Sequence, residues 1–205
     1  MGLDDLGAVN LGAIDEFERI NQRYNFLAQQ QDDLLTAKDQ LEKSMAEMDN
    51  EVKLRFKTMF DQVSASFAQV FPQIFEGGNA YLTLTDPSDL LETGIEITAQ
   101  PPGKKAQQLS LLSGGERTLT AIALLFAILR VSPVPFAVLD EAEAALDDAN
   151  VVRYSQYLRR LDQKTQFILI THRKGTMLQA DVLYGVTMQD SGVSRMVSVS
   201  LEDVL

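Results

Sequence analysis

The sequence predicts an α/β protein: a parallel sheet core with flanking helices and an antiparallel strand portion, plus a long coiled-coil helix. Two apolar strands, at 136–139 and 166–171, are separated by a helical segment at 148–161, which is the order of a parallel β–α–β unit. Further strands at 182–189 and 193–201, joined by a short turn, indicate an antiparallel hairpin.

A heptad pattern free of proline and glycine predicts the long helix. Its apolar seam contains no proline or glycine between Phe17 and Met59. The apolar seam positions are Phe17, Ile20, Tyr24, Leu27, Leu34, Leu41, Met45, Met48, Val52 and Met59. Polar residues at Gln31, Lys38 and Arg55 interrupt the seam, as they do where a coiled coil fixes its register. An amphipathic helix packed on its own domain is the alternative, but such helices usually run about 8 to 20 residues.

The chain is therefore expected to consist of an arm and a globular part. We expect a leading segment at 1–16, a coiled-coil arm and neck at 17–59, and a lobe at 60–205. The sequence holds no second heptad segment, so the partner helix of the arm must come from elsewhere. Beyond residue 55 the apolar pattern becomes broader and aromatic, which suits packing against a globular core.

Turn-forming residues set the limits of the remaining predicted elements. Pro72 and the cluster Gly77-Gly78-Asn79 should end the long helix. The other predicted elements are a strand at 80–85, a turn at 86–89, a strand at 94–99, a polar loop at 101–105, a helix at 115–130, a short helix at 175–179 and a hairpin turn at 190–192. Strands and helices alternate only beyond the polar loop, so the parallel core is expected there.

Composition narrows the classes of protein that fit. A net charge of −11 argues against a surface that grips nucleic acid throughout, so any DNA contact must be local or supplied by other segments. The chain has no cysteine, which excludes disulfides and thiolate metal sites. It shows no secretory signal and no apolar window near the roughly 20 residues of a membrane span. We therefore expect a cytoplasmic protein without membrane contact.

A glycine-containing loop precedes the helix predicted at 115–130. Ser113, Gly114 and Gly115 leave backbone N–H groups accessible at a helix N-terminus, where partial positive charge favours a phosphate. Ordinary capping is the alternative, with Ser113 as N-cap and Glu116 three residues later, as in a capping box. The two roles can coexist, because a cap leaves neighbouring amides free.

Two carboxylates end the first apolar strand, at the sheet edge where ligands bind in parallel sheets. Asp140 has the oxygen ligand that Mg²⁺ prefers, and Glu141 can orient or deprotonate the water that attacks a γ-phosphate. The alternative is that both acids solvate the strand end and cap the following helix. Asp147 can reach across to a facing subunit, and capping of the helix at 148–161 explains it equally well.

The only histidine of the chain follows the second apolar strand. If the two strands are parallel, His172 shares the sheet edge with Glu141, where its ring can donate a hydrogen bond to a γ-phosphate and report its presence. Taken alone, such a histidine is more often structural. The order of glycine loop, strand-end acids and strand-end histidine favours the functional interpretation.

Together these segments resemble the ATP-binding-cassette class of ATPases. The resembling segments are Leu112 to Glu116 for the signature motif, Phe136 to Glu141 for the Walker B strand, Ala144 to Asp147 for the D-loop and His172 for the switch histidine. Within that class, the segments that resemble bacterial SMC (structural maintenance of chromosomes) proteins are 6–10, 100–105, 140–151 and 171–177. The resemblance implies the C-terminal lobe of an ABC-type ATPase head with an adjoining arm.

One departure from the class pattern concerns the phosphate-binding P-loop. The sequence has no Gly-x-x-x-x-Gly-Lys-Ser/Thr, and Gly103-Lys104-Lys105 lacks both the upstream glycine and the following hydroxyl residue. In the SMC family the P-loop lies in an N-terminal segment that folds together with the C-terminal segment into one head. The resemblance therefore implies that this chain is the C-terminal part of such a head.

The resemblance further implies that two complete heads sandwich ATP and Mg²⁺ and hydrolyse the nucleotide, driving chromosome condensation, segregation and DNA-loop handling. The implied site consists of the catalytic pair Glu141 and His172, the metal ligand Asp140, and the nucleotide-contacting residues Ser113, Gly114, Gly115, Glu116 and Asp147. The loop of Ser113 would act on the nucleotide of the neighbouring head, and the strand-end residues on that of their own head.

The implied partners are the N-terminal lobe, a second SMC head, DNA and a kleisin subunit, with localisation at the nucleoid. The kleisin would dock its C-terminal winged-helix domain on the face at 182–201 and its N-terminal part on the neck of the other head. Two rival classes remain: a related coiled-coil DNA-repair ATPase, and a non-catalytic scaffold. Glu141 and His172 argue against the scaffold.

Overall fold

The computed structural model describes residues 12–161, 165–190 and 192–200. The chain divides into two compact units, Met1–Leu54 and Arg55–Leu205. One helix, α1 (Ala13–Phe75), contributes to both. The domain limits at 59 and 60 stay predictions. The leading segment up to residue 11, which includes the family-like segment 6–10, lies outside the described residues.

In the first unit, α1 exposes its apolar seam. The apolar seam residues from Phe17 to Val52 are all exposed. On the polar part of the surface, Lys43 and Asp39 form an ion pair of 2.7 Å between neighbouring turns, which suits an exposed helix. A continuous exposed apolar stripe of this kind favours a helix that takes a partner helix, and the coiled-coil pairing itself stays a prediction.

In the second unit, the end of α1 is buried and aromatic, which confirms the prediction of globular packing. The Phe71 and Phe75 rings stack with centroids 4.2 Å apart, and Phe67 meets Phe71 edge to face at 6.0 Å. The buried residues of this segment are Val63, Ser66, Phe67, Val70, Phe71, Ile74 and Phe75. Each of them has another member of the set three or four residues away, so a single face of the helix enters the core.

The prediction that Pro72 ends α1 is wrong, because the helix continues through Phe75. A proline removes one N–H bond from the ladder, and only one turn of helix remains beyond Pro72. The other part of the prediction is confirmed, because α1 ends just before the glycine cluster, where Gly77 and Gly78 adopt φ angles of 136° and 77°. A Cβ at Gly78 would lie 2.2 Å from the carbonyl oxygen of Gln100, so glycine is required there.

An antiparallel sheet follows, formed by β1 (Asn79–Leu84), β2 (Ile95–Gln100) and β3 (Gln107–Gln108). Strands β1 and β2 confirm the two predicted strands, each displaced by one residue. The sequence did not predict β3, because two glutamines carry no apolar alternation. Ala80 and Leu82 point from β1 into the core, as the two-residue period of a strand requires.

Helices α2 (Gly114–Val131) and α3 (Asp148–Leu161) supply much of the remaining core. The Phe126 ring of α2 stacks on Tyr154 and Tyr157 of α3, at centroid distances of 5.8 and 5.3 Å. Both helices confirm the prediction, and α2 extends it by one residue at each end. A 3₁₀ turn precedes α2 directly.

The strands β4 (Phe136–Asp140) and β5 (Gln166–Ile170) pair in parallel, as predicted. One face of the pair packs against the core through Leu139, Phe167 and Leu169. The opposite face is exposed, and we call it the uncovered sheet face. Its apolar residues are Phe136, Val138, Ile168 and Ile170. Parallel strands are normally covered on both sides, so a covering element is missing from the part of the chain that the structure describes.

A short helix, α4 (Lys174–Met177), leads to the hairpin of β6 (Val182–Asp190) and β7 (Val193–Ser200). The hairpin is antiparallel, as predicted. Ser191 in its turn and Leu201 after β7 lie outside the described residues. The helix predicted at 175–179 begins one residue earlier and ends two residues earlier. An exposed set of apolar residues on one side of the hairpin, which we call the hairpin face, comprises Val182, Tyr184, Val186, Met188 and Met196.

Candidate functional site

The loop of Ser113 and its two glycines forms the start of α2. Ser113 is the N-cap, with an extended backbone (φ −61°, ψ 160°), and the helix begins at Gly114. A Cβ at Gly114 would meet nothing within 4 Å, so the backbone there is open to an approaching group. The first amides of a helix lack partners within it and carry partial positive charge. This end of α2 therefore has the chemistry that receives an anion.

Glu116 turns its carboxylate back onto this loop. Its Oε2 accepts hydrogen bonds from the backbone N–H of Ser113 at 3.3 Å and from the Ser113 hydroxyl at 2.6 Å. Its Oε1 pairs with Nζ of Lys104 at 2.8 Å. The contacts with Lys104 and then with Ser113 hold the pKa of Glu116 below its ordinary value. The capping role of Glu116 is thus present, and it fixes the side chain of Ser113.

The strand-end acids follow from the parallel pairing of β4 and β5. Asp140 ends β4, and the N–H of Glu141 donates to the carbonyl of Ile170 at 2.9 Å, which extends the ladder by one bond. Glu141 has φ 46°, in the left-handed region that residues other than glycine seldom adopt. Such strain in a native fold is often found at functional positions. It turns the chain sharply at the exposed edge of the sheet.

The structure brings Glu141 and His172 together, as the sequence predicted for parallel strands. Nδ1 of His172 lies 3.3 Å from Oε1 of Glu141. Both side chains remain accessible, His172 at 66% and Glu141 at 54% exposure. A carboxylate beside an imidazole, both open to solvent, can orient a water molecule and exchange a proton with it. Among the described residues, no hydrogen bond joins this pair to Ser113.

Asp147 caps α3, which realises one of the two roles predicted for it. Its Oδ1 accepts a hydrogen bond from the N–H of Asn150 at 2.8 Å, the contact expected of an N-cap residue. A contact of Asp147 with a facing subunit stays a prediction. The turn also lies close to the start of α2, since a Cβ on Gly115 would come within 3.4 Å of the Ala145 carbonyl oxygen.

Sequence reasoning missed the side chains that support this edge. Glu143 is almost completely buried, and it accepts hydrogen bonds from the hydroxyls of Thr171 and Thr176. Arg173 donates to the carbonyl of Leu146 at 2.7 Å. An acidic residue between alanines carries no sequence signal for burial, because its partners lie far along the chain. A threonine immediately before the histidine was the only local hint.

Comparisons with known proteins identify the family of the chain. The family model described as the RecF/RecN/SMC N-terminal domain matches residues 18–195. The chain belongs to the RecF/RecN/SMC family. Among SMC relatives, the chromosome partition protein Smc of Lactiplantibacillus plantarum is 66% identical over 203 residues, covering 99% of this chain. The chain spans only 17% of the length of that relative.

Solved SMC structures share the fold. A chain from work on ATP-driven dimerisation and DNA-stimulated activation of SMC ATPases is 41% identical, with a TM-score of 0.67, covering 74% of this chain and 92% of that one. The Smc head domain of Pyrococcus furiosus, with an extended coiled coil and bound to the C-terminal domain of ScpA, is 38% identical with a TM-score of 0.71. The alignment covers 94% of this chain and 48% of that chain. The predicted fold class, an SMC head lobe with a long helix, is confirmed.

The acidic residues at the end of β4 supply only part of a magnesium site. Asp140 offers one exposed carboxylate at the sheet edge. Within the described residues, no group of three or more His, Cys, Asp or Glu side chains could hold a metal. Mg²⁺ commonly takes one or two carboxylates together with water and phosphate oxygens, so Asp140 fits as a contributor and not as a complete site.

In the described part of the chain, no helix is both long and apolar enough to cross a membrane.

Proposed function

We propose that this chain is the C-terminal part of an SMC ATPase head, which hydrolyses ATP once an N-terminal lobe with a P-loop and a second head are in place. The observation that carries the proposal is the approach of Glu141 and His172, 3.3 Å apart at the end of the parallel strands. The two side chains come from different strands and lie at the edge where open α/β sheets bind ligands. Phosphoryl transfer to water needs groups placed in this way.

The roles of the strand-end residues follow from their chemistry. Glu141 orients the attacking water and takes its proton, since its carboxylate is exposed and acceptor-only when ionised. His172 donates a hydrogen bond to the γ-phosphate from Nε2, with its ring in the doubly protonated form, since Nδ1–H donates to Glu141 at the same time. Asp140 would hold Mg²⁺ directly or through water, and the ion when bound supplies charge neutralisation on the phosphates.

The loop of Ser113 acts on the nucleotide of a neighbouring head in this proposal. Its amides have the partial positive charge that phosphate favours, and no hydrogen bond ties them to the Glu141 edge within the described residues. Asp147, in the turn that runs past Gly115, is the residue expected to contact that head. The resulting assembly sandwiches two ATP molecules between two heads.

The uncovered sheet face supports the proposal that a further lobe packs on this chain. Phe136 and Val138 expose 59% and 53% of their surface, and Ile168 and Ile170 expose similar fractions. Leaving these side chains in water is unfavourable, and parallel strands of this kind are normally buried. We assign the uncovered sheet face to the N-terminal lobe, which also brings the P-loop that the sequence lacks.

A kleisin subunit and DNA complete the proposed assembly, in which ATP-driven engagement of heads acts on the chromosome. The hairpin face is the candidate docking surface for the winged-helix domain of the kleisin. The net charge of −11 confines any DNA contact to local surface or to other segments.

A substitution at Glu141 tests the proposed chemistry. In the complete protein, Glu141→Gln should keep ATP binding and ATP-dependent head dimerisation, because the amide has almost the same size. It should lower the turnover number by roughly 10²- to 10⁴-fold, the range for loss of a general base. Steady-state phosphate release measures turnover, light scattering measures dimerisation, and a nucleotide-binding assay measures ATP binding. Turnover at the wild-type rate in this variant would exclude Glu141 as the catalytic base.

A further inference from the structure

Glu143 is a buried acid to which the proposed chemistry gives no role. It lies two residues beyond Glu141 in the turn between β4 and α3, and only 2% of its surface is exposed. Removing a carboxylate from water is costly unless its oxygens find donors. Such a residue persists when its hydrogen bonds serve the fold or the site.

The polar partners of Glu143 flank the histidine. Its Oε1 accepts a hydrogen bond from the hydroxyl of Thr171, the residue before His172, and another from Thr176 in α4 at 2.9 Å. In the described part of the chain, no lysine, arginine or histidine forms an ion pair with Glu143. The carboxylate therefore holds hydroxyls near the histidine and does not serve as half of a salt bridge.

The hydroxyl of Thr171 makes a second contact across the histidine. It accepts a hydrogen bond from the N–H of Arg173 at 3.0 Å, so it bridges the backbone on both sides of His172. The Arg173 side chain in turn donates to the carbonyl of Leu146 at 2.7 Å and to Asp148 at 3.1 Å. The three-residue segment around His172 is thus tied twice to the turn that carries Glu141.

The buried phenol of Tyr154 feels the charge of the same carboxylate. Burial raises the pKa of Tyr154, and the charge of Glu143 raises it further. The hydroxyl of Tyr154 is buried without a hydrogen-bond partner, whereas Oε1 of Glu143 accepts from the hydroxyls of Thr171 and Thr176. The threonines, and not the phenol, are thus the side chains that donate to Glu143 in the described part of the chain.

We propose that Glu143 is a positioning residue, which sets the place of His172 beside Glu141 by holding the hydroxyl of Thr171. This inference rests on the proposed function, since it presumes that His172 acts in ATP hydrolysis. The turn after β4 and the segment around His172 after β5 are then held together, so that displacing one also displaces the other. The distance between Glu141 and His172 depends on this tie.

The test uses the complete ATPase and a pair of substitutions at one position. Thr171→Val keeps the shape and removes the hydroxyl, whereas Thr171→Ser keeps the hydroxyl. We expect Thr171→Val to lower kcat by roughly tenfold or more, with KM for ATP changed less than about twofold, as for supporting residues that misplace a catalytic group. We expect Thr171→Ser to recover at least about half of the wild-type kcat, since the bridge can re-form.

Thr176→Val is the matched control. It removes the other hydroxyl that Glu143 accepts, but Thr176 does not adjoin His172. A purely structural role of Glu143 predicts equal losses of kcat from Thr171→Val and Thr176→Val. The positioning role predicts a clearly smaller loss from Thr176→Val, with similar melting temperatures for the two variants. If Thr171→Val does not fold, Thr171→Ala removes the same hydroxyl with a smaller side chain, with the same expected loss of kcat at constant KM.

The outcomes separate this inference from the proposed function. Equal losses from the two valine variants, an unchanged kcat in Thr171→Val, or no recovery in Thr171→Ser would each overturn the positioning role. If Glu141→Gln still removes most of the turnover in those cases, the proposed function stands and only the positioning role of Glu143 is excluded. If Glu141→Gln turns over normally, both fall together.

Discussion

Three acidic residues within four positions take very different environments. Asp140 and Glu141 are exposed at the sheet edge, whereas Glu143 is buried and bonded to two threonines. The sequence predicted the first two, because acids after an apolar strand indicate the ligand edge of a parallel sheet. It could not predict the third, since burial of Glu143 depends on Thr171 and Thr176, which follow the next strand. Pairing of His172 with Glu141 needed only the assumption that the strands are parallel.

Ser113 provides the residue-scale test of the neighbouring-head role. In the complete protein, Ser113→Arg puts a long charged side chain at the accessible start of α2, and we expect it to abolish ATP-dependent dimerisation. ATP binding should persist, because the P-loop belongs to the other lobe. Light scattering and nucleotide binding measure the two effects.

Ser110→Arg is the matched control for that substitution. It adds the same side chain at an exposed position three residues earlier, in the turn before α2. We expect this variant to dimerise normally. A dimer of unchanged stability in Ser113→Arg would contradict the neighbouring-head role of the signature loop.

At the scale of elements, apolar periodicity and turn residues predicted most of the helices and strands in their order along the chain. They did not predict features that depend on contacts between elements. The parallel pair, the hairpin and the helices α2 and α3 follow from apolar period and turn residues. Of the two signals predicted to end α1, the glycines Gly77 and Gly78 do follow its end, whereas Pro72 lies inside its last turns. β3 is defined by its antiparallel pairing with β2. Its two glutamines carry no pattern of their own.

The hairpin of β6 and β7 is the element that we expect to meet the kleisin. Its exposed Tyr184 lies on the hairpin face, and a two-stranded hairpin is marginal in water unless something packs on it. A photo-crosslinking amino acid at Tyr184 should capture the winged-helix domain of the kleisin in the complete complex. Mass spectrometry of the adduct identifies the contact.

A second exposed tyrosine serves as control for that crosslink. Tyr81 is 48% exposed on β1, which belongs to a different sheet from the hairpin. The same probe placed there should give no adduct with the winged-helix domain. Capture from Tyr81 but not from Tyr184 would move the kleisin to another surface.

At the scale of the whole molecule, the described residues bring strand-end acids and a histidine to one edge and leave a sheet face uncovered, and the sequence has no P-loop. The N-terminal lobe of the proposed function would account for both the uncovered face and the absent P-loop, because a lobe that covers Phe136 and Val138 would also bring a phosphate cradle. The sequence showed the absent motif. The exposed face could not be predicted, since an apolar strand looks the same whether its cover belongs to the same segment or to another.

The most direct test of this account is ATP hydrolysis by the chain with and without the N-terminal head segment of the same SMC protein. We expect negligible phosphate release from either part alone and turnover when both are mixed, lost again when the chain carries Glu141→Gln. A charged substitution on the uncovered sheet face, Val138→Arg, should prevent the two parts from associating. ATP hydrolysis by this chain alone, or a mixture that associates and turns over normally despite Glu141→Gln, would contradict the account.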